Sequence, residues 1–243
     1  MFFTNSHVCI GAMKKAIAVL LVLMFGLSHE AGAKAPTVPY KTLLSHIASE
    51  QSRLQTLYKQ PHANKAAIIE QARQYVLQRL DLDVFPAWYG TAWEFHGTSE
   101  TPGQGAVACG YFVFTALRDV GFRLPRVKLS QLPSESAIKN LVPATQIKRF
   151  SGASLEQIQD HLTKHGHGLY LAGLDYHIGF VVYDDKGSRF VHSSYYNPPL
   201  AVLSEPLNAK NPFYDSKYRV IGKLLDDAMM QHWLSGKAFT VAH

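Results

Sequence analysis

The sequence predicts an α+β fold in which a buried helix that begins near a cysteine packs on a small antiparallel sheet, with a helical hairpin ahead of both. Three observations predict it. Apolar residues recur at helical spacing through the first half of the chain, ending at Val120. From Leu169 the pattern changes to short runs rich in branched and aromatic residues. Between two of those runs, Asp184-Asp185-Lys186-Gly187 reads as a turn, which makes the pair a hairpin.

Residues 1–33 read as a signal peptide. Met13-Lys14-Lys15 precedes an apolar run from Ala16 to Leu27, and Ala31-Gly32-Ala33 supplies small residues for a cut after Ala33. Met13 fits as the true start. The run is short beside the roughly 20 residues that a membrane-spanning helix needs. The expectation is a periplasmic or secreted protein with no stable membrane span after cleavage.

Residues 34–83 hold the helical hairpin. Leu43, Leu44, Ile47, Leu54 and Leu57 give one helix from Tyr40 to about Lys59, and Pro61 ends it. Ile68, Ile69, Ala72, Val76, Leu77 and Leu80 give the second, from Asn64 to Leu80. Residues 84–243 form the expected catalytic domain. It opens on an aromatic-rich loop with Phe85, Trp88, Tyr89, Trp93 and Phe95, in which Tyr89 and Trp93 are candidate substrate-lining residues. Val107 to Val120 is apolar nearly all round, which predicts a central buried helix, with Gly121 at its C-terminal cap. Residues 122–150 read as mixed loop, and Leu155–Thr163 as a short helix. Strands are predicted at Leu169–Ala172, Tyr176–Tyr183 and Arg189–Ser194, with further short ones near Leu200–Leu203 and Tyr218–Leu224.

Composition narrows the function. Hydrophobic residues make up 47% of the chain and charged residues 17%, a globular balance that excludes a disordered one. The formal charge of +6 comes from scattered Lys and Arg with no run longer than two, so no nucleic-acid partner is expected. No phosphate-binding glycine loop is present, and His161, His165 and His167 read as a solvated helix end. No cofactor and no metal are therefore expected.

The chain has two cysteines, and Cys9 would leave with the signal peptide. Cys109 then remains without an intramolecular partner in an oxidising compartment, where a leftover thiol is reactive, paired between molecules, or buried and inert. Its place at a helix start favours ionisation and supplies N–H groups to receive an oxyanion. Gln104, a few residues upstream, is a candidate extra donor.

The hairpin adds two histidines. A turn of two or four residues pairs Tyr183 with Ser188 and sets Gly179 opposite His192. His177 is then a diagonal neighbour of His192 on the same face, roughly 7–8 Å away at the backbone and within side-chain reach. A three-residue turn would put the two on opposite faces. With one face shared, His177 suits a general base and acid for Cys109, and His192 suits the residue that orients it. Asp175 and Asn197 are the fallback orienters.

These residues resemble the NlpC/P60 superfamily of papain-like cysteine peptidases, in Cys109-Gly110, His177-Ile178-Gly179-Phe180 and Val191-His192-Ser193-Ser194. The resemblance spans roughly residues 104–195. The family usually carries Asp before the cysteine and Ser-Gly after it, where this chain has Ala108 and Gly110-Tyr111. The resemblance implies a papain-like core and an endopeptidase or amidase acting on peptidoglycan stem peptides. An acyltransferase or thioesterase built on the same residues is the alternative within enzymes. A catalytically silent envelope-binding module with a buried Cys109 is the alternative outside them.

Overall fold

A computed structural model describes residues 38–241, so the predicted signal peptide and Cys9 lie outside the described residues. The described chain belongs to one compact unit. Its helices are α1 (Tyr40–Tyr58), α2 (Lys65–Arg79), α3 (Phe85–Trp88), α4 (Cys109–Asp119), α5 (Arg126–Ser130), α6 (Ser134–Lys139), α7 (Leu155–His165), α8 (Pro212–Asp215) and α9 (Asp227–Ser235). Its strands are β1 (Ile147–Ser151), β2 (Gly168–Leu174), β3 (Ile178–Asp184), β4 (Gly187–Ser193), β5 (Val202–Pro206) and β6 (Tyr218–Lys223). The strands form one six-stranded sheet in the order β1-β6-β2-β3-β4-β5, with every neighbouring pair antiparallel. The α+β class is therefore as the sequence predicts.

The sheet is covered on both faces. Leu169, Leu171, Phe180, Val182, Val191 and Val220 join the main core with α4 and the N-terminal helices. The alternate residues Tyr170, Ala172, Val181, Phe190 and Ile221 pack against Ile158 and Leu162 of α7. This explains why these strands read as continuous apolar runs, since neither face meets water. Helix α7 is held at its start by a reciprocal capping box between Ser154 and Gln157.

Helix α4 sits in the middle of the larger layer, and eight of its eleven residues are buried. Tyr40 at the start of α1 donates to Asp119 at the far end of α4 (2.7 Å), and the Trp88 indole donates to the same hydroxyl (3.1 Å). Burial and the neighbouring Asp119 carboxylate push the Tyr40 hydroxyl far up, so it stays a neutral donor. The predicted boundary at 83/84 falls inside one helical run. Helix α2 continues through a π-helical turn, Leu80–Val84, into α3.

Three stretches differ from expectation. Residues 84–88 are helical and Phe85 and Trp88 are core, because their rings fill the space between α4 and the sheet, where Phe85 stands 5.0 Å from Phe180 and Trp88 stands 6.1 Å from Phe112. Residues 122–150 contain α5, α6 and the edge strand β1, which pairs with β6 across a long sequence separation that no local pattern encodes. Helix α9 near the C-terminus packs on α1 and α2 and was not expected. Among the described residues, no helix is long and apolar enough to cross a membrane.

Candidate active site

The loop before α4 decides where Cys109 stands. It runs along the end of the sheet as improvised strand: Trp93 N–H donates to Leu200 O, Val202 N–H to Thr91 O, Val107 N–H to Ala92 O and Ala108 N–H to Gly97 O, all at 2.9 Å. The buried Ser193 hydroxyl, next to His192, donates to Val107 O at 2.6 Å. The strand that bears His192 and the segment that leads into Cys109 are thus fastened together. Gly110 lets α4 approach α5, because a Cβ there would lie 2.5 Å from the Ser130 carbonyl oxygen.

Arg126 fixes the other side of this loop. Its guanidinium donates to Thr115 Oγ1 (2.6 Å) and to the Thr98 and Ser99 carbonyls (2.9 Å each), and it lies 4.9 Å over the Tyr111 ring. One buried cation therefore ties α5, α4 and the loop that walls the site.

The hairpin has a two-residue turn, and Tyr183 pairs with Ser188 as the sequence predicts. The consequence for the histidines follows: His177 Nε2 and His192 Nδ1 are 2.8 Å apart, and both rings are buried. His192 stacks on Phe190, centroid to centroid 4.3 Å. Its other nitrogen, Nε2, lies 2.9 Å from Glu205 Oε1 on β5. His177 Nδ1 is buried with no hydrogen-bond partner. Cys109 and His177 line the same cavity, and the backbone N–H groups of Ile178, the residue after His177, of Gly110 and of Cys109 itself favour the charged form of the sulfur.

Burial sets the protonation states. It pushes the Cys109 thiol up, and the three N–H groups offset only part of that. This corrects the expectation of an acidic thiol, because a helix start lowers a thiol pKa only while the desolvation penalty is the smaller effect. Burial, with His192 next, holds His177 well below the usual imidazole range, and burial holds His192 down to about 3. At neutral pH the site is a neutral thiol beside two neutral imidazoles.

Gly179 is the residue whose absent side chain makes room for this pair. A Cβ there would stand 2.7 Å from two Phe190 ring atoms and 2.8 Å from His192 Cβ. Gly179→Ala is expected to cost roughly 1–3 kcal/mol through overpacking and to displace His192. A lowered Tm together with a changed rate of Cys109 alkylation would show both effects.

The remaining sequence candidates divide. Trp93 lines the cavity, 5.7 Å from Tyr195. Tyr89 does not; it packs on the main core because the chain turns away at Gly90. Gln104 is exposed on a turn of the preceding loop and lies outside the cavity lining, so it supplies no oxyanion donor here. Asp175 is occupied by the Lys217 and Tyr218 backbone N–H groups, and Asn197 by Lys210 O. His165 Nδ1 lies 2.8 Å from His161 O, at the helix end. Sequence reasoning missed Glu205, Tyr111, Tyr176 and Tyr195, of which the three tyrosines line the cavity.

That cavity is about 730 Å³ and is walled by Trp93, Phe95, Tyr111, Tyr176 and Tyr195, with no Asp, Glu, Lys or Arg in its lining. A second cavity of about 410 Å³ opens on the other side of Cys109 and does include Glu135 and Asp175. Among the described residues, no group of His, Cys, Asp and Glu is arranged to hold a metal ion. No family model, no curated protein and no solved structure matches the chain.

Proposed function

We propose that this protein is a cysteine hydrolase with a papain-like catalytic core, cleaving amide bonds through Cys109. The observation that supports it is the buried relay of His192 and His177, which ends in an unpartnered Nδ1 beside the cavity that Cys109 lines. Because thiol and imidazole are both neutral, attack and proton transfer are coupled. The thiol proton passes to His177 Nδ1 as sulfur bonds to the substrate carbonyl carbon. The oxygen of the tetrahedral intermediate, now negative, is stabilised by N–H groups of the first turn of α4. His177 returns the proton to the leaving nitrogen, the C–N bond breaks, and an acyl-Cys109 thioester remains. Water then attacks that thioester with His177 as base, releasing the carboxylic acid and the free thiol. The expected export and the NlpC/P60 resemblance make peptidoglycan stem peptides the substrate of choice.

A second reading has its own support. The larger cavity offers aromatic walls and no ionised Asp, Glu, Lys or Arg, which suits an apolar acyl group better than a charged peptide. The same residues would then serve a thioesterase or acyltransferase.

One experiment separates these readings. Purified cell wall and a panel of acyl thioesters of graded chain length are incubated with wild type and Cys109→Ala, and products are identified by mass. Wall fragments that need Cys109 are the expected result. Thioester cleavage alone would move the assignment to the second reading. No product that depends on Cys109 in either arm would overturn the hydrolase and leave the silent binding module.

A further inference from the structure

The relay does not end at His192. Its Nε2 faces Glu205 Oε1 at 2.9 Å, and its Nδ1 faces His177 Nε2 at 2.8 Å. Glu205 is half-buried on β5, and His192 is its one side-chain hydrogen-bond partner among the described residues. Its backbone position opposite Phe190, two residues before His192, brings it beside the His192 ring.

We propose that Glu205 is a positioning residue that fixes, through His192, which nitrogen of His177 carries the proton. A neutral imidazole has one N–H and one lone pair. Burial raises the Glu205 carboxyl, but while ionised it only accepts, so the proton of His192 then sits on Nε2, pointing at Glu205. His192 Nδ1 is then a lone pair and must accept from His177 Nε2–H. His177 has spent its proton there, so Nδ1 is left as a lone pair, and this is the buried nitrogen with no partner. Reverse the first bond and every later one reverses. A protonated Glu205, or a group that donates in its place, turns His192 around electronically and puts the His177 proton on Nδ1. That nitrogen could then not take the thiol proton. Glu205 touches neither sulfur nor the cavity lining, so its effect passes wholly through two rings.

The burial of both rings strengthens the inference. With His177 and His192 held neutral, neither can satisfy both neighbours by gaining a second proton. The choice between the two tautomer chains is therefore left to the end groups. The titratable groups that face the relay are His192 and His177 themselves, Glu205 from β5, Cys109 from α4, and Tyr195, whose ring is 5.2 Å from that of His177.

This inference rests on the hydrolase reading for its purpose but not for its test. Long-range ¹H–¹⁵N spectra of ¹⁵N-histidine-labelled protein at pH 7 report the tautomer of each ring directly. Wild type is expected to carry the His177 proton on Nε2. In Glu205→Gln, whose amide both accepts and donates, the two His177 tautomers are expected to mix. Glu205→Leu is expected to remove the bias altogether. Alkylation of Cys109 by iodoacetamide, read alongside, is expected to slow in Glu205→Leu by about twofold, since about half of the molecules would keep the working tautomer. A wild-type His177 protonated on Nδ1 would overturn the proposal, as would an unchanged tautomer in both variants. Should Glu205→Leu not fold, the near-isosteric Gln variant still decides. Should no substrate that needs Cys109 exist, the spectra still answer for Glu205, so the two failures are distinguishable.

Discussion

His177→Ala is expected to lower kcat/KM for any substrate turned over through Cys109 by about 10³-fold or more, at the upper end of what general acid–base assistance supplies. The fold should survive, because the ring makes one hydrogen bond, to His192, and lines the cavity rather than the main core. Because Cys109 and His177 act as one unit, the double variant with Cys109→Ala should be no slower than the slower single variant. The pH dependence carries the sign of the burial effect. The working form of His177 is neutral, and its folded pKa lies well below 6.5. Wild-type kcat/KM should therefore stay level as pH falls from 8 through 6.5 and decline only well below that, where the ring gains its proton. On the alkaline side the thiol, pushed above its usual 9.0, should add no break until beyond that value. A profile that fell away at 6.5 would mean a solvated imidazole and would contradict the buried relay.

Arg126→Met is expected to be the most destabilising single change near the site. It leaves the part-buried Thr98 and Ser99 carbonyls and the buried Thr115 hydroxyl without their donor. Leaving groups of this kind unsatisfied costs about 1–3 kcal/mol each when fully buried, and partial exposure of the loop carbonyls brings the sum to about 3 kcal/mol. At about 2–4 °C per kcal/mol for a chain of this size, Tm should drop by roughly 6–12 °C. Arg126→Lys keeps the charge but not the fork, so it should fall between the two. Scanning calorimetry of the three proteins checks the order. Because Thr98 also lines the cavity, slower Cys109 chemistry should accompany the loss.

The contrast between these two residues explains what the sequence made legible. His177 and His192 sit on one hairpin, so a two-residue periodicity and a short turn were enough to bring them together. Nothing as local connects Glu205 to His192. The β4–β5 register is set by the packing of Val191 and Val202 in the main core and by Ser194 N–H meeting Ala201 O, after a connection with no pattern to count along. Arg126 was hidden for a similar reason: two of its partners are backbone carbonyls, which every residue has. The helix start at Cys109 was legible and its acidity was not, because sequence shows the N–H groups but not the depth of burial that outweighs them. Trp93 and Tyr89 look alike in sequence, and only the turn at Gly90 sends one to the cavity and the other to the core.

The two-residue turn at Asp185-Lys186 has a consequence for how this chain can vary over time. Substitutions in the turn are cheap, since both residues are exposed. Lengthening it by one is not, because a single inserted residue must be absorbed as a bulge or it swings His192 to the opposite side of the sheet, away from both His177 and Glu205. Insertions and deletions in pairs escape that penalty. Working descendants of this chain are therefore constrained more in the parity of that loop than in its letters, and an alignment that slips one position there would misjudge which of them keep the relay.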